Sequence, residues 1–564
     1  MASPLDDRFS AIIAAVTGPQ GPLGVTGDGD GRVTVPALPQ TLPAFFDHFL
    51  AAHADADGIV AGDERLRFGE IAAWADRVAG ALAGGHGVKP GDRVAIAMRN
   101  CPSWIILYIG ALKAGAIATL VNGWWTADEM ADGLALTTPR LIVADVERGR
   151  RLAAIPPGAT LVTLDVNLPA QAALDPLLDG IATAPLPAIA ADDPATILFT
   201  SGSTGRCKGA WSTHRQVLTA TYTFLTLTAS LLRLITEDGD APAFLPSALV
   251  AVPLFHVTGE VPVLLNSIAI GRKLVLMRKW DAGEALRLIE AERVTYFVGV
   301  PTMSLELLQH PDREQRDLAS LADIAAGGAA RPPAHVPRLK QAFPRGNPMI
   351  GYGLTETNAV GCTNYRANYV AKPNSTGRAQ APFVKLVILD DDDAELPIGE
   401  KGQVAILSAA NFSGYWQDEA AARAAFTDLG YFRTGDIGFL DEDGYLRIVD
   451  RAKDIIIRGG ENISCQEVEA ALYAHPAIAE ACVFGLPDDR LGEVPGAVVR
   501  LAEGERLEDA ELIDFLATRL ARFKLPQRIW WRTEPMPRLG TGKIDRRALR
   551  AAAHAALAEE HAPV

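Results

Sequence analysis

The order of apolar and polar residues predicts alternating helices and strands along most of the chain. In residues 68–83 the apolar positions recur every three or four residues, which predicts an amphipathic helix over Phe68–Ala83. Residues 93–98 form a short apolar run that predicts a buried strand. The same alternation continues through the strand-like run that ends at Ala329. Strands that alternate with helices predict parallel sheets covered by helices, and therefore an α/β fold.

The pattern changes at three places, which predicts the domain organisation. Residues 1–38 are rich in Gly, Pro, Ala and Asp and are expected to form a loosely ordered lead-in. From Val384, short strands and turns predict a small β-subdomain that completes a large N-terminal domain of residues 39–449. A charged cluster at residues 450–454 predicts a domain boundary, followed by a small α+β domain that runs to residue 564.

Composition and charge exclude several classes of protein. A chain of 564 residues is too long for one ordinary core, and its formal net charge of −15 argues against a nucleic-acid partner. The five cysteines are scattered and odd in number, which favours reduced thiols and a cytoplasmic location. The apolar stretch Trp104–Val121 is interrupted by Lys113 and two glycines, so it is interpreted as a buried helix and strand. No transmembrane helix is predicted.

A glycine-rich loop is the first candidate for chemistry. The apolar run Ala195–Phe199 leads into Thr-Ser-Gly-Ser-Thr-Gly-Arg-Cys-Lys-Gly at residues 200–209. Glycines allow close approach of the backbone to a ligand, and small hydroxyls with Lys208 suit a polyphosphate. The spacing does not fit Gly-x-x-x-x-Gly-Lys-[Ser/Thr], which excludes a Walker A loop. An ordinary Gly/Ser turn is the alternative interpretation.

Further polar or glycine-rich loops follow in order along the chain, and each has a structural alternative. They are Pro253–Gly259 with His256, the run Gly327–Ala329, Gly351–Thr357, Tyr431–Asp436 and Pro537–Lys543. Glu356 and Asp436 have the character of turn-capping carboxylates, since each lies beside glycine in a loop. Lys543 has basic neighbours and is open to interpretation as one of several solvated cations. The joint occurrence of the loops favours function over these alternatives.

The ordered set resembles the adenylate-forming superfamily of acyl-CoA synthetases, amino-acid adenylation domains and beetle luciferases. The resemblance extends from about Leu42 to beyond Lys543. It implies ATP, Mg²⁺ and coenzyme A as cofactors, a small-molecule carboxylic acid as substrate, and a monomer or homodimer. It also implies that the small C-terminal domain is mobile and moves about a hinge at residues 450–453.

The resemblance assigns roles to individual residues. It implies a nucleotide site made of Thr200, Ser201, Gly202, Ser203, Thr204, Gly205, Lys208, Gly327, Gly328, Ala329, Tyr352, Asp436 and Arg451. Within this set, residues 200–205 and Lys208 would hold the β- and γ-phosphates, Tyr352 would stack on adenine, and Asp436 and Arg451 would bind the ribose. It further implies that Thr355 contacts the α-phosphate and Glu356 holds Mg²⁺.

Three further roles concern the movement of the small domain. Lys453 would act at the hinge, Lys543 would bridge the acyl carboxylate and the α-phosphate, and Gly459 and Gly460 would line a channel for pantetheine. A lysine and Mg²⁺ would stabilise the charge that builds on the phosphoryl oxygens. The chain departs from the usual loop at Cys207, where the family usually has proline, which puts the stiffness of the loop in question.

His256 in Pro253–Gly259 resembles the acyl- and aryl-CoA synthetase branch, in which this histidine gates the carboxylate pocket; a core histidine is the alternative. The expected pocket residues are His256, Val257, Thr258, Val261, Val300, Met303, Gly328 and Gly353. Small and apolar side chains predict a roomy pocket for a hydrophobic acid, namely a medium- or long-chain fatty, aryl-alkanoic or steroid-type acid. Glu260 would disfavour an anionic tail if it faced the pocket.

Two functions are the alternatives to a CoA ligase: an acyl-AMP ligase with another acceptor, and a catalytically silent acyl-nucleotide binding module.

Overall fold

The structure is a computed structural model, and it describes residues 3–27, 32–152, 156–201, 207–451, 454–458, 461–488, 490–539 and 542–560. The strands of the described residues are β1 (Thr26–Gly27), β2 (Val33–Thr34), β3 (Asp57–Ala61), β4 (Glu64–Arg67), β5 (Arg93–Ala97), β6 (Ile117–Leu120), β7 (Leu141–Asp145), β8 (Thr160–Leu164), β9 (Pro194–Ser201), β10 (Cys207–Thr213), β11 (Ser247–Val250), β12 (Lys273–Leu276), β13 (Tyr296–Gly299), β14 (Asp323–Ala326), β15 (Asn347–Gly353), β16 (Gly361–Tyr365), β17 (Arg378–Ala379), β18 (Lys385–Leu389), β19 (Gly402–Leu407), β20 (Gly414–Tyr415), β21 (Phe432–Leu440), β22 (Leu446–Arg451), β23 (Ile456–Arg458), β24 (Glu461–Ile463), β25 (Ile478–Asp488), β26 (Gly492–Leu501) and β27 (Arg528–Arg532).

The helices alternate with these strands over the first two thirds of the chain. They are α1 (Pro4–Thr17), α2 (Leu42–Ala52), α3 (Phe68–Ala83), α4 (Pro102–Lys113), α5 (Ala127–Thr137), α6 (Val146–Arg151), α7 (Ala170–Leu178), α8 (His214–Glu237), α9 (Asn266–Ala269), α10 (Ala282–Ala291), α11 (Pro301–Gln309), α12 (His335–Ala342), α13 (Arg366–Ala371), α14 (Glu419–Ala424), α15 (Cys465–Tyr473), α16 (Asp509–Ala517) and α17 (Arg546–Glu560). A π-helical segment, Gly259–Leu265, precedes α9, and short 3₁₀ turns occur at Pro311–Gln315, Thr355–Thr357 and Arg522–Lys524.

Two large, mostly parallel sheets form the N-terminal part of the molecule. One has the strand order β20-β10-β9-β6-β5-β7-β8, and the other has the order β17-β16-β15-β14-β13-β11-β12-β3-β4. In the second sheet the strands from β15 to β3 are parallel, while β16, β17 and β4 are antiparallel additions at its edges. Helices cover the sheets, so the predicted α/β fold class is confirmed.

Two smaller sheets follow in the chain. The antiparallel sheet β18-β19-β21-β22 is the β-subdomain that the change of pattern at Val384 predicts. The C-terminal sheet has the order β24-β23-β26-β25, with β27 parallel to β26, and packs with α15, α16 and α17 around its own apolar core. A large α/β unit followed by a small α+β unit is therefore the architecture of the chain.

The apolar stretch from Trp104 contains a fully buried helix, α4, followed by strand β6. The charge of Lys113 is satisfied because its ammonium group contacts the carboxylates of Asp47, at 2.6 Å, and Asp76. Another helix, α8, is long and apolar enough by composition to cross a membrane, with a mean hydropathy of 1.3. Half of its apolar window is buried inside the fold, as in a core helix.

The N-terminal residues differ from the expectation of a loosely ordered lead-in. Residues 4–17 form α1, whose start is fixed by a capping box in which Ser3 accepts the Asp6 N–H and the Asp6 carboxylate accepts the Ser3 N–H. Phe9, Ile12 and Val16 form its buried face, and the helix packs against α8. Local capping and one apolar stripe outweigh the Gly- and Pro-rich composition of the residues that follow.

Asp6 fixes α1 to two distant parts of the chain. Its side chain is 3% exposed, and its carboxylate accepts hydrogen bonds from Asn368 Nδ2 at 2.8 Å and from the Tyr445 hydroxyl at 2.8 Å. Asn368 lies on α13, and Tyr445 lies directly before β22. The first helix is therefore joined by buried polar contacts to both the nine-stranded sheet region and the β-subdomain.

We expect Asp6→Ala to lower the free energy of unfolding by about 1–3 kcal/mol, because Tyr445 and Asn368 would lose a buried acceptor. Urea unfolding followed by circular dichroism measures the change. Asp7→Ala is the matched control, since Asp7 is exposed one residue further along the same helical turn, and it should stay within about 0.5 kcal/mol of the parent. Equal effects of the two substitutions would contradict the role of the Asp6 contacts.

Candidate active site

The predicted loops meet at the carboxyl ends of the parallel strands in the nine-stranded sheet. The His256 loop follows β11, the Gly327 loop follows β14 and the Thr355 turn follows β15. The strand order β15-β14-β13-β11 makes these strand ends near neighbours. Ligands of open parallel sheets bind at this edge, so the topology brings together loops that are far apart in sequence.

Lys543 reaches this edge from the C-terminal region. Its Cε and Nζ atoms lie 3.1 and 3.4 Å from the position that a Cβ atom would occupy on Gly328, a residue with φ of +74°. A tight turn carries the lysine, since the Gly542 N–H donates to the Leu539 carbonyl and the Leu539 N–H donates to the Lys543 carbonyl, both at 2.8 Å. Glycine at position 328 therefore permits both the positive φ of this residue and the close approach of the lysine.

Arg538 fixes the lysine loop to the large unit. Its Nη1 donates to the Thr302 hydroxyl of α11 at 2.9 Å, and its Nη2 lies 3.8 Å from the Glu306 carboxylate. Nη2 also donates to Glu480 of its own unit at 2.5 Å. One guanidinium group thus connects the two parts of the molecule beside the candidate site.

His256 lies in a turn that only glycine can close. A Cβ atom on Gly259 would lie 2.2 Å from the Pro253 carbonyl oxygen, so no larger residue fits there. The Nδ1 atom of His256 accepts the Thr258 N–H at 3.3 Å, which places the ring proton on Nε2 in the neutral form. Burial, together with the charge of Lys543, lowers the pKa of His256 to about 3. The imidazole is therefore neutral near pH 7.

Glu356, Tyr415 and Lys208 form a connected group on the other side of the site. The Tyr415 hydroxyl donates to Glu356 Oε1 at 2.9 Å, and Lys208 Nζ lies 4.6 Å from the centre of the Tyr415 ring. Burial and the neighbouring Glu356 charge raise the pKa of Tyr415. Strand pairing explains the contact, because β20 places Tyr415 opposite Ala210 of β10.

Glu356 supplies the carboxylate of this group. Among the described residues no group of three or more His, Cys, Asp and Glu side chains could hold a metal ion by itself. Magnesium differs from metals that need such a cage, since it is held by one or two carboxylates together with substrate phosphates and water. The donor set at Glu356 therefore fits a magnesium ion that arrives with a polyphosphate.

Tyr352 and Asp436 are in direct contact. The Tyr352 hydroxyl donates to Asp436 Oδ2 at 2.7 Å, and Asp436 is 5% exposed. Arg451 is the cross-strand neighbour of Asp436 in the pairing of β21 with β22, and its backbone alone is described. The phenol thus fixes the orientation of the carboxylate.

Several predicted residues lie outside the described part of the chain. These are Gly202, Ser203, Thr204, Gly205, Lys453, Gly459 and Gly460. Thr200 and Ser201 end β9, where they pair with Lys208 and Cys207 of β10. Cys207 thus begins a strand in this chain. Ala329 is exposed directly beyond Gly328.

A cavity of about 630 Å³ opens beside the strand ends. Of the residues expected in the acyl pocket, Thr258, Gly328 and Gly353 line it, and Gly327 and Gly351 do so as well. Helices α1 and α8 supply much of its apolar wall, a contribution that sequence patterns did not indicate.

The other residues expected in the pocket occupy different positions. Val257 and Val261 are buried in the main apolar core, and the lining of the cavity does not include them or His256. Val300 and Met303 belong to the core cluster around Phe297 and contact the turn at Gly542. These two residues therefore contact the lysine loop and do not line the cavity.

Glu260 does not face the cavity. It is fully buried on the π-helical segment, and its Oε1 accepts the Tyr108 hydroxyl at 2.7 Å, while its Oε2 has no hydrogen-bond partner among the described residues. Burial raises the pKa of Glu260 to about 7, against the effect of the Tyr108 hydrogen bond. The carboxyl group is thus largely neutral below pH 7 and places no charge on a substrate tail.

Two family models match the chain. A model described as AMP-binding enzyme matches residues 46–416, and one described as AMP-binding enzyme C-terminal domain matches residues 467–543. The chain belongs to the AMP-binding enzyme family. The first match contains the His256, Gly327 and Thr355 loops, and the second ends at Lys543.

Individual members of the family are similar over nearly their whole length. A feruloyl-CoA synthase of Amycolatopsis sp is 34% identical over 88% of this chain and 95% of its own. A 3-[(3aS,4S,7aS)-7a-methyl-1,5-dioxo-octahydro-1H-inden-4-yl]propanoyl:CoA ligase of Mycobacterium tuberculosis is 34% identical over 91% and 98%. The o-succinylbenzoate-CoA synthetase MenE of Bacillus subtilis, solved with the acyl-adenylate OSB-AMP, superposes with a TM-score of 0.77 at 26% identity, over 90% of this chain and 97% of that one.

We expect the pH dependence of stability to report the buried Glu260 carboxyl group. Between its ordinary pKa of 4.5 and the raised value of about 7, the folded protein binds more protons than the unfolded chain. Its contribution to stability is therefore complete below pH 4.5 and is lost as the pH rises through 7. As the pH rises through this interval, the free energy of unfolding of Glu260→Gln should increase relative to that of the parent, by up to about 1.4 kcal/mol per pH unit. Urea unfolding at a series of pH values measures it.

Glu400→Gln at an exposed position is the control, and its curve should run parallel to that of the parent. A parallel curve for Glu260→Gln as well would show that Glu260 is charged throughout the interval.

Proposed function

We propose that this enzyme joins a hydrophobic carboxylic acid to coenzyme A in two steps at the expense of ATP. In the first step an oxygen of the acid attacks the α-phosphorus, the bond to the β-phosphate breaks and pyrophosphate leaves. In the second step the thiol sulfur of coenzyme A attacks the acyl carbon, and the bond to AMP breaks. The contact between Lys543 and Gly328 is the observation that carries the proposal. Family membership and the CoA ligases among the relatives support it.

In the first step Lys543 would neutralise charge between the two reacting groups. The acid carboxylate and the α-phosphate are both anions, and their reaction concentrates charge on the phosphoryl oxygens. A fixed cation at this position lowers the barrier without a covalent protein intermediate. His256 supports this role because, being neutral, it does not repel the lysine, and its Nε2–H is available to a carboxylate oxygen.

The phosphates and the metal would lie on the side of Glu356 and Lys208. We assign Thr355 to the α-phosphate, and residues 200–205 with Lys208 to the β- and γ-phosphates. Glu356 would hold Mg²⁺, which when bound neutralises phosphate charge and orients the leaving pyrophosphate. Tyr415 supports this assignment, since it positions the Glu356 carboxylate and contacts Lys208 through its ring.

The nucleoside would lie between the Gly327 loop and the β-subdomain. We assign Gly327, Gly328, Ala329 and the Tyr352 ring to the adenine, and Asp436 with Arg451 to the ribose hydroxyls. The contact between the Tyr352 hydroxyl and Asp436 supports this assignment, because one hydrogen bond fixes both groups relative to each other. Gly327 and Gly328 leave space where a side chain would fill the cradle.

The second step requires Lys543 to leave and the thiol to enter. We propose that the C-terminal domain, residues 454–564, rotates about residues 450–453 with Lys453 at the hinge, and that Gly459 and Gly460 then line the path of pantetheine. The polar contacts of Arg538 with Thr302 and Glu306 support a reversible docking of the lysine loop. A cytoplasmic location and a monomer or homodimer stay predictions.

The cavity supports a bulky, hydrophobic acid as substrate. Its volume of about 630 Å³ lies in the range of pockets for drug-sized ligands, and apolar residues form most of its wall. The feruloyl and methyl-dioxo-octahydroindenyl propanoyl groups in the names of two relatives are acids of this kind. An acyl-AMP ligase with another acceptor is not favoured, because these relatives are named as CoA enzymes.

We expect Lys543→Ala to slow acyl-adenylate formation by about 10²–10³-fold, the usual loss when one electrostatic contact to a developing charge is removed. The assay supplies ATP, Mg²⁺ and a panel of hydrophobic acids, with and without coenzyme A, and follows pyrophosphate and thioester. Thioester formation from preformed acyl-AMP should stay within a few-fold of the parent. Arg547→Ala, which removes an exposed cation nearby, is the control.

Adenylate formation at the parental rate in Lys543→Ala would contradict the role of the lysine. Pyrophosphate release by the parent without thioester would instead favour an acyl-AMP ligase.

We expect Gly328→Ala to slow the first step by about ten-fold or more, because the new Cβ atom would displace the lysine amine by a few tenths of an ångström and strain the backbone. Single-turnover measurement of adenylate formation tests this. Gly62→Ala is the matched control, since Gly62 also has a positive φ, +62°, with open space around a Cβ atom. Equal rates in Gly328→Ala and Gly62→Ala would show that the Lys543 contact does not limit the first step.

A further inference from the structure

The cavity extends far from the strand ends at which the chemistry is proposed. Both Gly327, just beyond β14, and Asp323, the first residue of that strand, line it. At about 3.3 Å per residue, these two positions are roughly 13 Å apart along the strand. A substrate that fills the cavity would therefore run across the face of the sheet, with its carboxyl group at one end and its tail at the other.

The wall along this path is mainly apolar. Helix α1 contributes Phe9 and Ile13, and helix α8 contributes Leu227 and Leu231. Helix α1 lies ahead of residue 46, where the match to the family model begins. This wall is therefore supplied in part by residues outside the matched region.

Arg272 is a buried cation at the far end of the cavity. It precedes β12, is 7% exposed and lines the cavity together with Tyr296 and Asp323. Its guanidinium carbon lies 4.7 Å from the centre of the Tyr296 ring. Within the described part of the chain its side chain makes no hydrogen bond or salt bridge, and its Nε is buried without a partner. A buried cation without an acceptor is costly unless a ligand supplies one.

Asn266 is a second polar side chain on the wall. It is 4% exposed, donates from Nδ2 to the Thr228 hydroxyl at 3.2 Å, and has no partner for Oδ1 in the described structure. Buried polar groups on a mainly apolar wall fix the orientation of a ligand more than they add to its burial. Their positions indicate that the tail of the substrate is not a plain hydrocarbon.

The charges near Arg272 favour a neutral oxygen over a second carboxylate. Asp323 lies on the same part of the wall and is paired with Arg366 at 3.3 Å. A carboxylate placed against Arg272 would lie on the same part of the wall as the Asp323 carboxylate, whereas a keto oxygen accepts from the guanidinium without adding charge.

We propose that the substrate is a bulky apolar acid with a keto group at the end opposite its carboxyl group, and that Arg272 donates to this oxygen. The proposal rests on the proposed ligase function and specifies its substrate class. Arg272 is then a specificity-determining residue, and α1 closes the part of the pocket that receives the keto end.

The test compares four acids with the full-length enzyme, ATP, Mg²⁺ and coenzyme A. They are a long-chain acid with a keto group near its distal end, its methylene analogue, its analogue with a distal carboxylate, and hexanoate, which is too short to reach Arg272. The parent should show kcat/KM for the keto acid about 10- to 100-fold above that for the methylene analogue, as expected for one hydrogen bond from a charged donor.

Arg272→Met keeps an unbranched apolar stem at this position and removes the charge and the donors. It should abolish the preference for the keto acid and leave the rate with hexanoate unchanged, while Arg272→Lys should keep part of the preference. Equal kcat/KM of the parent for keto and methylene acids would overturn the proposal, as would a uniform loss for all acids in Arg272→Met. Preference for the carboxylate analogue would overturn the neutral keto group.

Failure of the ligase function gives a different result. If no acid yields pyrophosphate or thioester, the ligase proposal fails, and calorimetric binding of the keto and methylene acids to the parent then tests Arg272 without turnover. Tighter binding of the keto acid by about 10-fold or more would support the subsite, and equal binding would overturn it. The comparison within the parent protein also covers the case in which Arg272→Met does not fold.

Discussion

The contact between the Lys543 side chain and the backbone at Gly328 joins the C-terminal unit to the strand edge of the large unit. A cation carried by one unit reaches the neighbouring unit only where that unit leaves space for it, and here the space is the missing side chain of a glycine with positive φ. The neutral state of His256 belongs to the same arrangement, because the lysine charge contributes to its lowered pKa. Arg538 adds a polar contact between the same two parts of the molecule, since it donates to Thr302 of α11.

Local patterns predicted much of the fold correctly. Helix α3 begins and ends at Phe68 and Ala83, as its apolar repeat indicates, and β5 lies within the apolar run 93–98. Such features depend on residues that are close in sequence, and they can therefore be predicted from the sequence alone. Helix α1 was missed because the glycines and prolines of the lead-in obscured a short stripe whose burial depends on α8.

The candidate site divides in the same way. Glycine-rich loops are local features, so the loops that carry His256, Gly328 and Lys543 are visible in the sequence, and the resemblance to the family predicts that they form one site. Tyr415 and Arg272 carry no local signature. The first reaches Glu356 through the pairing of β20 with β10, and the second reaches the cavity by extending toward Tyr296 from beyond the intervening strand β11. Val300 and Met303 were expected in the pocket because they are apolar and adjacent to a strand end. They lie instead in the core cluster around Phe297, and the lining of the cavity does not include them.

The position of α1 has a consequence for how substrate range changes during evolution. The loops assigned to the phosphates and the adenine lie within the matched region, whereas α1, which lines the far part of the cavity, lies ahead of residue 46. Mutations in this first helix alter the space for the tail while the adenylating loops keep their sequence. Changes confined to this first segment can therefore alter the range of acids accepted while the residues of the adenylating loops stay the same.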